Sequence, residues 1–184
     1  YGSPSARSLI QDNVINALDG ASGIQASYAD ITNNSIAPSG TYSNGQYAIR
    51  AEDSCVIINN TITNMGSGID VSSYEGNILD SNFIQANDRG IYGENSNNLT
   101  ITNNTIQTNS GTIIHTTNGA STIKYNLLTT SSGRGIHCEN QAGIEFSNNT
   151  IISSSSGDYG IHITNLSSPV VRNNIIQGFQ NGIY

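Results

Sequence analysis

Positive charge is scarce in this sequence. Lys124 is its sole lysine, five arginines lie scattered over 184 residues, and the formal net charge is -7. That balance argues against nucleic acid as a partner, because neutralising phosphates takes clustered Lys and Arg. Tryptophan is absent, and there are only two cysteines, Cys55 and Cys138. No apolar run approaches the ~20 residues that a bilayer-spanning helix needs, so no membrane insertion is expected. Helical spacing is missing too, since Gly, Ser and Asn interrupt every window. Few residues are charged, yet the chain does not read as disordered, because Ile recurs at regular places.

What is present is a repeat. The stretch from Gly90-Ile91-Tyr92-Gly93 to Leu99-Thr100-Ile101-Thr102-Asn103-Asn104-Thr105-Ile106 holds a full copy. Ile-centred beats are joined by polar turns, and an Asn pair precedes the last beat. Six further copies follow the same pattern. Ile24 goes with Asn33-Asn34-Ser35-Ile36, Ile49 with Asn59-Asn60-Thr61-Ile62, and Gly68-Ile69 with Ser81-Asn82-Phe83-Ile84. Ile113-Ile114 goes with Tyr125-Asn126-Leu127-Leu128, Gly135-Ile136 with Asn148-Asn149-Thr150-Ile151, and Gly160-Ile161 with Asn173-Asn174-Ile175-Ile176. A degenerate copy, Gln11-Asp12-Asn13-Val14-Ile15, comes first, and a bare Gly182-Ile183-Tyr184 comes last. A period of about 20–25 residues specifies a stacked, quasi-one-dimensional architecture.

Each copy reads as three short strands with period-two alternation. The first is the Gly-Ile beat, the second is the run before the Asn pair, and the third is the beat after it. Stacked in register, the copies give parallel sheets around an Ile core, which suits β-branched side chains. The expected fold is all-β: a single-stranded right-handed parallel β-helix of about eight coils, ~40 Å long at ~4.8 Å per strand. Residues 1–184 read as one such domain. Because the chain opens inside a copy and stops as another begins, it reads as a piece of something longer. Open ends of this kind expose strand edges, which makes end-to-end or lateral self-association an expectation.

The Asn before each third strand is given two jobs, tolerating a left-handed corner and passing amide hydrogen bonds between coils. Asn34, Asn60, Asn82, Asn104, Asn126, Asn149 and Asn174 would form this interior ladder. Cys55 and Cys138, four coils apart and so ~20 Å distant by that spacing, read as buried thiols beyond disulfide reach. Two connections are longer than the rest: Ala37 to Ala48, with Pro38, Tyr42 and Tyr47, and Ile152 to Gly160, with Asp158 and Tyr159. They could flank a groove beside the first sheet.

The position just after the first-strand Ile reads, coil by coil, Gln25, Arg50, Asp70, Tyr92, His115, His137, His162 and Tyr184. All three histidines fall in it, provided that Ile114 rather than Ile113 occupies the core site. Such a column could line a sugar groove, with flat Tyr and His rings against sugar C–H bonds and Arg50 and Asp70 on hydroxyls or carboxylates. The expected carbohydrate-binding residues are therefore Arg50, Asp70, Tyr92, His115, His137 and His162. Three histidines in a straight row do not converge on a metal, and no Cys, Asp or Glu clearly completes a site, so no metal site is assigned.

The Gly-Ile-x-x plus Ile-x-Asn-Asn-x-Ile phrase resembles the parallel β-helix repeat of the pectin-lyase-like superfamily. The resemblance covers nearly the whole chain and implies a right-handed β-helix with an inner asparagine ladder. It implies less about activity, since that superfamily includes lyases, epimerases, hydrolases, phage tailspikes and non-catalytic surface modules. Pectate-lyase-type sites look like several acids on adjacent coils holding calcium beside an Arg or Lys base. Here Asp70 is the sole acid in the column; Glu94 and Glu139 fall in the following turn, and Arg89/Glu94 and Arg134/Glu139 are the candidate pairs. The polygalacturonase-like motifs and the Asp-Pro-His signature of alginate epimerases are absent. The leading expectation is an extracellular, cell-surface module without a cofactor. It would give a rigid rod and a polysaccharide-contacting face to a larger surface protein, spike, adhesin or filament. The alternative is a polysaccharide lyase or epimerase acting on an acidic glycan with calcium.

Overall fold

A computed structural model describes residues 6–18, 20–40, 47–72, 76–95, 97–165 and 168–184. All regular structure among them is strand, and every pairing is parallel between one copy of the repeat and the next. Second strands form an eight-stranded sheet running from Ser8–Gln11 to Val170–Arg172. First and third strands share a twelve-stranded sheet. Eight stacked strands enclose seven turns, so the coil number is about seven where about eight was expected. Seven steps at the ~4.8 Å strand spacing span ~34 Å.

Three apolar columns make the core. Ile31, Ile57, Leu79, Ile101, Ile123 and Phe146 stack under the eight-stranded sheet. Ile36, Ile62, Ile84, Ile106, Leu128 and Ile151 stack along the third strands. Ile49, Ile69, Ile91, Ile114, Ile136 and Ile161 stack along the first. Every one of these side chains is fully buried. Each is worth roughly 1.5–3 kcal/mol relative to exposure, which is what makes in-register stacking decisive. Cys55 and Cys138 are buried and unpaired, and burial pushes the Cys138 thiol up to about 12.

Three details of the coil differ from expectation. First, the third strand often runs on into the next first strand, as in Thr61–Ser72 and Phe83–Glu94, with register irregularities where the chain bends. The Ile152 to Gly160 connection is of this kind. It lies inside the strand Thr150–Thr164, and its extra residues form a bulge at positive-φ Ser156. It is not a loop flanking a groove. In the Ala37 to Ala48 connection, Tyr42 lies outside the described residues, and Tyr47 opens the strand Tyr47–Glu52.

Second, the two jobs given to one Asn are divided between two residues. The left-handed corner belongs to the residue before the ladder: Asn33, Asn59, Ser81, Asn103, Tyr125, Asn148 and Asn173, all with φ between +55° and +59°. Asn accepts that conformation readily, whereas Tyr125 adopts it only because the stack demands it. The ladder residue is then free to point inward. Third, the ladder is one rung longer. Asn13 joins it, donating from its backbone N–H and its Nδ2 to Asn34 Oδ1. Every later rung repeats the pair, as in Asn82 to Asn104 and Asn104 to Asn126 at 2.9–3.1 Å. Each Nδ2 also reaches a backbone carbonyl, for example Asn104 to Leu79. The amide polarity of a buried corner is thereby satisfied, as a dry interior requires.

Candidate functional site

Strand register decides whether the outward column exists, and it does. Gln25 lies beside Arg50, Arg50 beside Asp70, Asp70 beside Tyr92, and Tyr92 beside His115. His115 is followed by His137 and then His162. Both Ile113 and Ile114 are buried, but it is Ile114 that pairs with Ile91 and Ile136 in the first-strand column, which places His115 in the column after it. Period-two alternation adds a second outward column two residues on: Glu52, Ser72, Glu94, Thr117, Glu139 and Thr164. A third lies three residues before the first, on the far side of the bend, and carries Tyr47, Ser67, Arg89, Thr112, Arg134 and Tyr159. The face is thus an aromatic and imidazole spine between an acidic edge and an Arg/Tyr edge.

The rings do not lie flat against solvent. His115 and His137 stack with centroids 4.6 Å apart and planes within 13°, and His137 and His162 do the same at 4.6 Å and 14°. Tyr159 covers the far face of His162 at 4.5 Å, while Tyr92 meets His115 edge-on at 5.3 Å. Successive strands carry the rings like coins in a roll, because ring-plane spacing matches the strand spacing. Ring faces are consumed by neighbouring rings, and what is left toward solvent is ring edges. The expectation of flat faces for sugar C–H bonds is corrected on this point. The Arg89 guanidinium sits 5.0 Å from the centre of Tyr92, and Arg134 lies 5.8 Å from Tyr159.

Electrostatics vary along the spine. Burial, reinforced by the flanking His115 and His162, lowers His137 to about 4 and keeps it neutral at pH 7. His162 is lowered by burial and then by Arg134. Asp70 is nearly buried and its carboxyl is raised by desolvation, which the Arg50 guanidinium 3.4 Å away partly offsets. Tyr92 is raised by burial and by Glu94.

The candidate Arg/Glu pairs do not form as read. Glu94 ends the strand Phe83–Glu94 and Glu139 lies within Arg134–Gln141, so both sit on strand and not in the following turn. Arg89 and Arg134 stand five residues earlier, about 16 Å along an extended chain. Glu139 instead turns to the coil before it, where its Oε1 lies 3.0 Å from His115 Nε2. That contact escaped the sequence reading, although its signal was there: an acid two residues after His137 falls diagonally beside His115. A second omission is on the opposite sheet, where Glu145 bridges Lys124 at 2.7 Å and Arg172 at 2.7 Å.

Comparison with known families agrees with this architecture. A family model described as a right handed beta helix region matches residues 17–176, so the chain belongs to the right-handed β-helix family. No curated protein and no solved structure matches the chain.

Proposed function

We propose that the first-strand face is a polysaccharide-contacting surface on a rigid extracellular module, the kind of part that a cell-surface spike, adhesin or filament uses. The observation that supports this reading is the unbroken spine Arg50–Asp70–Tyr92–His115–His137–His162, whose polar edges repeat at every strand. A glycan lying along the coil axis would meet a new hydrogen-bonding edge at each coil, with Arg50, Arg89 and Arg134 available to carboxylates. Recognition would be polar, because the ring faces are already taken. Contact with an acidic glycan would weaken as salt rises, since these arginines are at the surface.

Affinity electrophoresis in gels containing neutral or acidic polysaccharides tests this. Retardation by at least one glycan is expected. Tyr92→Ala and His115→Ala should each weaken it roughly threefold to tenfold, the scale of one hydrogen bond. Thr100→Ala and Thr122→Ala, on the other sheet, should leave it unchanged. No retardation by any glycan, or equal loss from both pairs, would overturn the reading. A lyase or epimerase acting on an acidic glycan with calcium is favoured by one observation, the nearly buried Asp70 carboxyl beside Arg50. Growth of unsaturated-uronide absorbance with calcium and an acidic glycan would support a lyase, and Asp70→Asn should then abolish it.

A further inference from the structure

We propose that His115, His137 and Glu139 form a binding site for a divalent transition metal of the Zn2+ or Cu2+ class. The inference stands apart from the glycan reading and needs no sugar.

Two residues of the trio come from one strand and the third from its neighbour. His137 and Glu139 project outward from Arg134–Gln141, two residues apart on the same face, and His115 projects from Thr112–Gly119. Parallel pairing fixes His115 beside His137, which leaves Glu139 diagonal to His115. One ligand atom from each of the three lies within 4.8 Å of the other two. His115 Nε2 and Glu139 Oε1 are already at 3.0 Å. Two 2.1 Å bonds at a tetrahedral angle place their donor atoms ~3.4 Å apart. Closure therefore asks for about an ångström of movement, which a tilt of an imidazole and rotation of the Glu139 side chain can supply.

The donor set selects the class of ion. Two imidazole nitrogens and one carboxylate suit Zn2+, Cu2+ or Ni2+. Calcium is disfavoured, because it takes six to eight oxygens. Three protein ligands also leave a coordination position for water or an exogenous group, as in open zinc sites. The surroundings supply support. The His115 side chain is 17% exposed and that of Glu139 35%, while His137 is buried at 9%, so the cluster opens to solvent through His115 and Glu139. Beneath it, Thr116 Oγ1 and Cys138 Sγ lie 2.9 Å apart in the core and anchor the two strands. One coil on, His162 Nδ1 is buried with no hydrogen-bond partner, leaving another imidazole nitrogen beside the cluster. A straight row of histidines alone does not converge on a metal; in this trio the third donor stands in the adjacent acidic column.

The test is a titration of the untagged, chelator-treated 184-residue chain with Zn2+ by calorimetry. Imidazole nitrogen shifts are followed in parallel by NMR. One ion per chain is expected, with the His115 and His137 resonances moving together at saturation. Glu139→Gln and His115→Gln should each weaken binding by more than the roughly 10–100-fold that loss of an outer-sphere partner costs. Both variants should keep the parent's circular dichroism, and melting with and without metal separates stability lost with the His115 stack from lost binding. Thr100→Ala, on the opposite sheet, should bind as the parent does. Cu2+ in place of Zn2+ should show coupling to two nitrogens by electron paramagnetic resonance. No saturable binding, or binding that Glu139→Gln and His115→Gln leave unchanged, would overturn the proposal. So would coupling to no nitrogen.

Discussion

Asn104 shows what one side chain does here. Its Oδ1 accepts from both the backbone N–H and the Nδ2 of Asn82, and its own Nδ2 donates to Asn126 Oδ1 and to the carbonyls of Leu79 and Thr102. Replacing it with alanine strips the buried Asn82 backbone N–H of its acceptor and the buried Leu79 carbonyl of a donor, each costing about 1–3 kcal/mol, while Asn82 Nδ2 keeps the Ile57 and Asp80 carbonyls. Asn104→Ala should therefore destabilise the chain by several kcal/mol in denaturant unfolding. Asn13→Ala, at the exposed first rung, should cost about 1 kcal/mol or less. Equal losses at the two positions would mean that the amides are not a cooperative ladder. The ladder was legible because Asn-Asn recurs before an apolar beat. Division of labour within the pair was not, since either Asn tolerates positive φ. Ser81 and Tyr125 resolve it: they hold the corner where Asn is missing, while the residue after them is always Asn.

Strands and sheets carry the next level of argument. Three apolar columns and the His column could be read from the sequence, because period-two alternation fixes which residues share a face. Fusion of third and first strands could not, since a bend without a turn leaves no Gly or Pro signature in Gln85-Ala86-Asn87-Asp88. Nor could the Glu139–His115 contact be fixed, because a diagonal meeting depends on rotamers as well as register. The eight-stranded sheet offers a pH test. Lys124 and Arg172 hold the Glu145 carboxyl down to about 2, below its ordinary 4.5. A lowered acid contributes stability that is complete above pH 4.5 and is lost as pH falls toward 2. Melting temperatures of the parent and Glu145→Gln, measured across that window, should differ at pH 5 and converge near pH 2. A gap that stayed constant with pH would remove the ion-paired carboxylate from the account.

At the scale of the molecule, one geometric fact underlies everything proposed for the face. Successive turns keep a register in which Ile114, Ile136 and Ile161 stack inward, so His115, His137 and His162 must stack outward. A family match over residues 17–176 fixes the winding but says nothing of what the face meets. Glycan contact and metal binding would both follow from that one column, and both would disappear if it slipped by a residue, since a strand's faces exchange at every step. The most direct measurement is a nuclear Overhauser experiment on the metal-free chain with its three histidines labelled. Ring protons of His115 should show cross-peaks to His137, and those of His137 to His162, as centroid separations of 4.6 Å require. Between His115 and His162, two strands apart, none should appear. Absence of the neighbouring cross-peaks in a folded sample, or a direct one between His115 and His162, would contradict the stack.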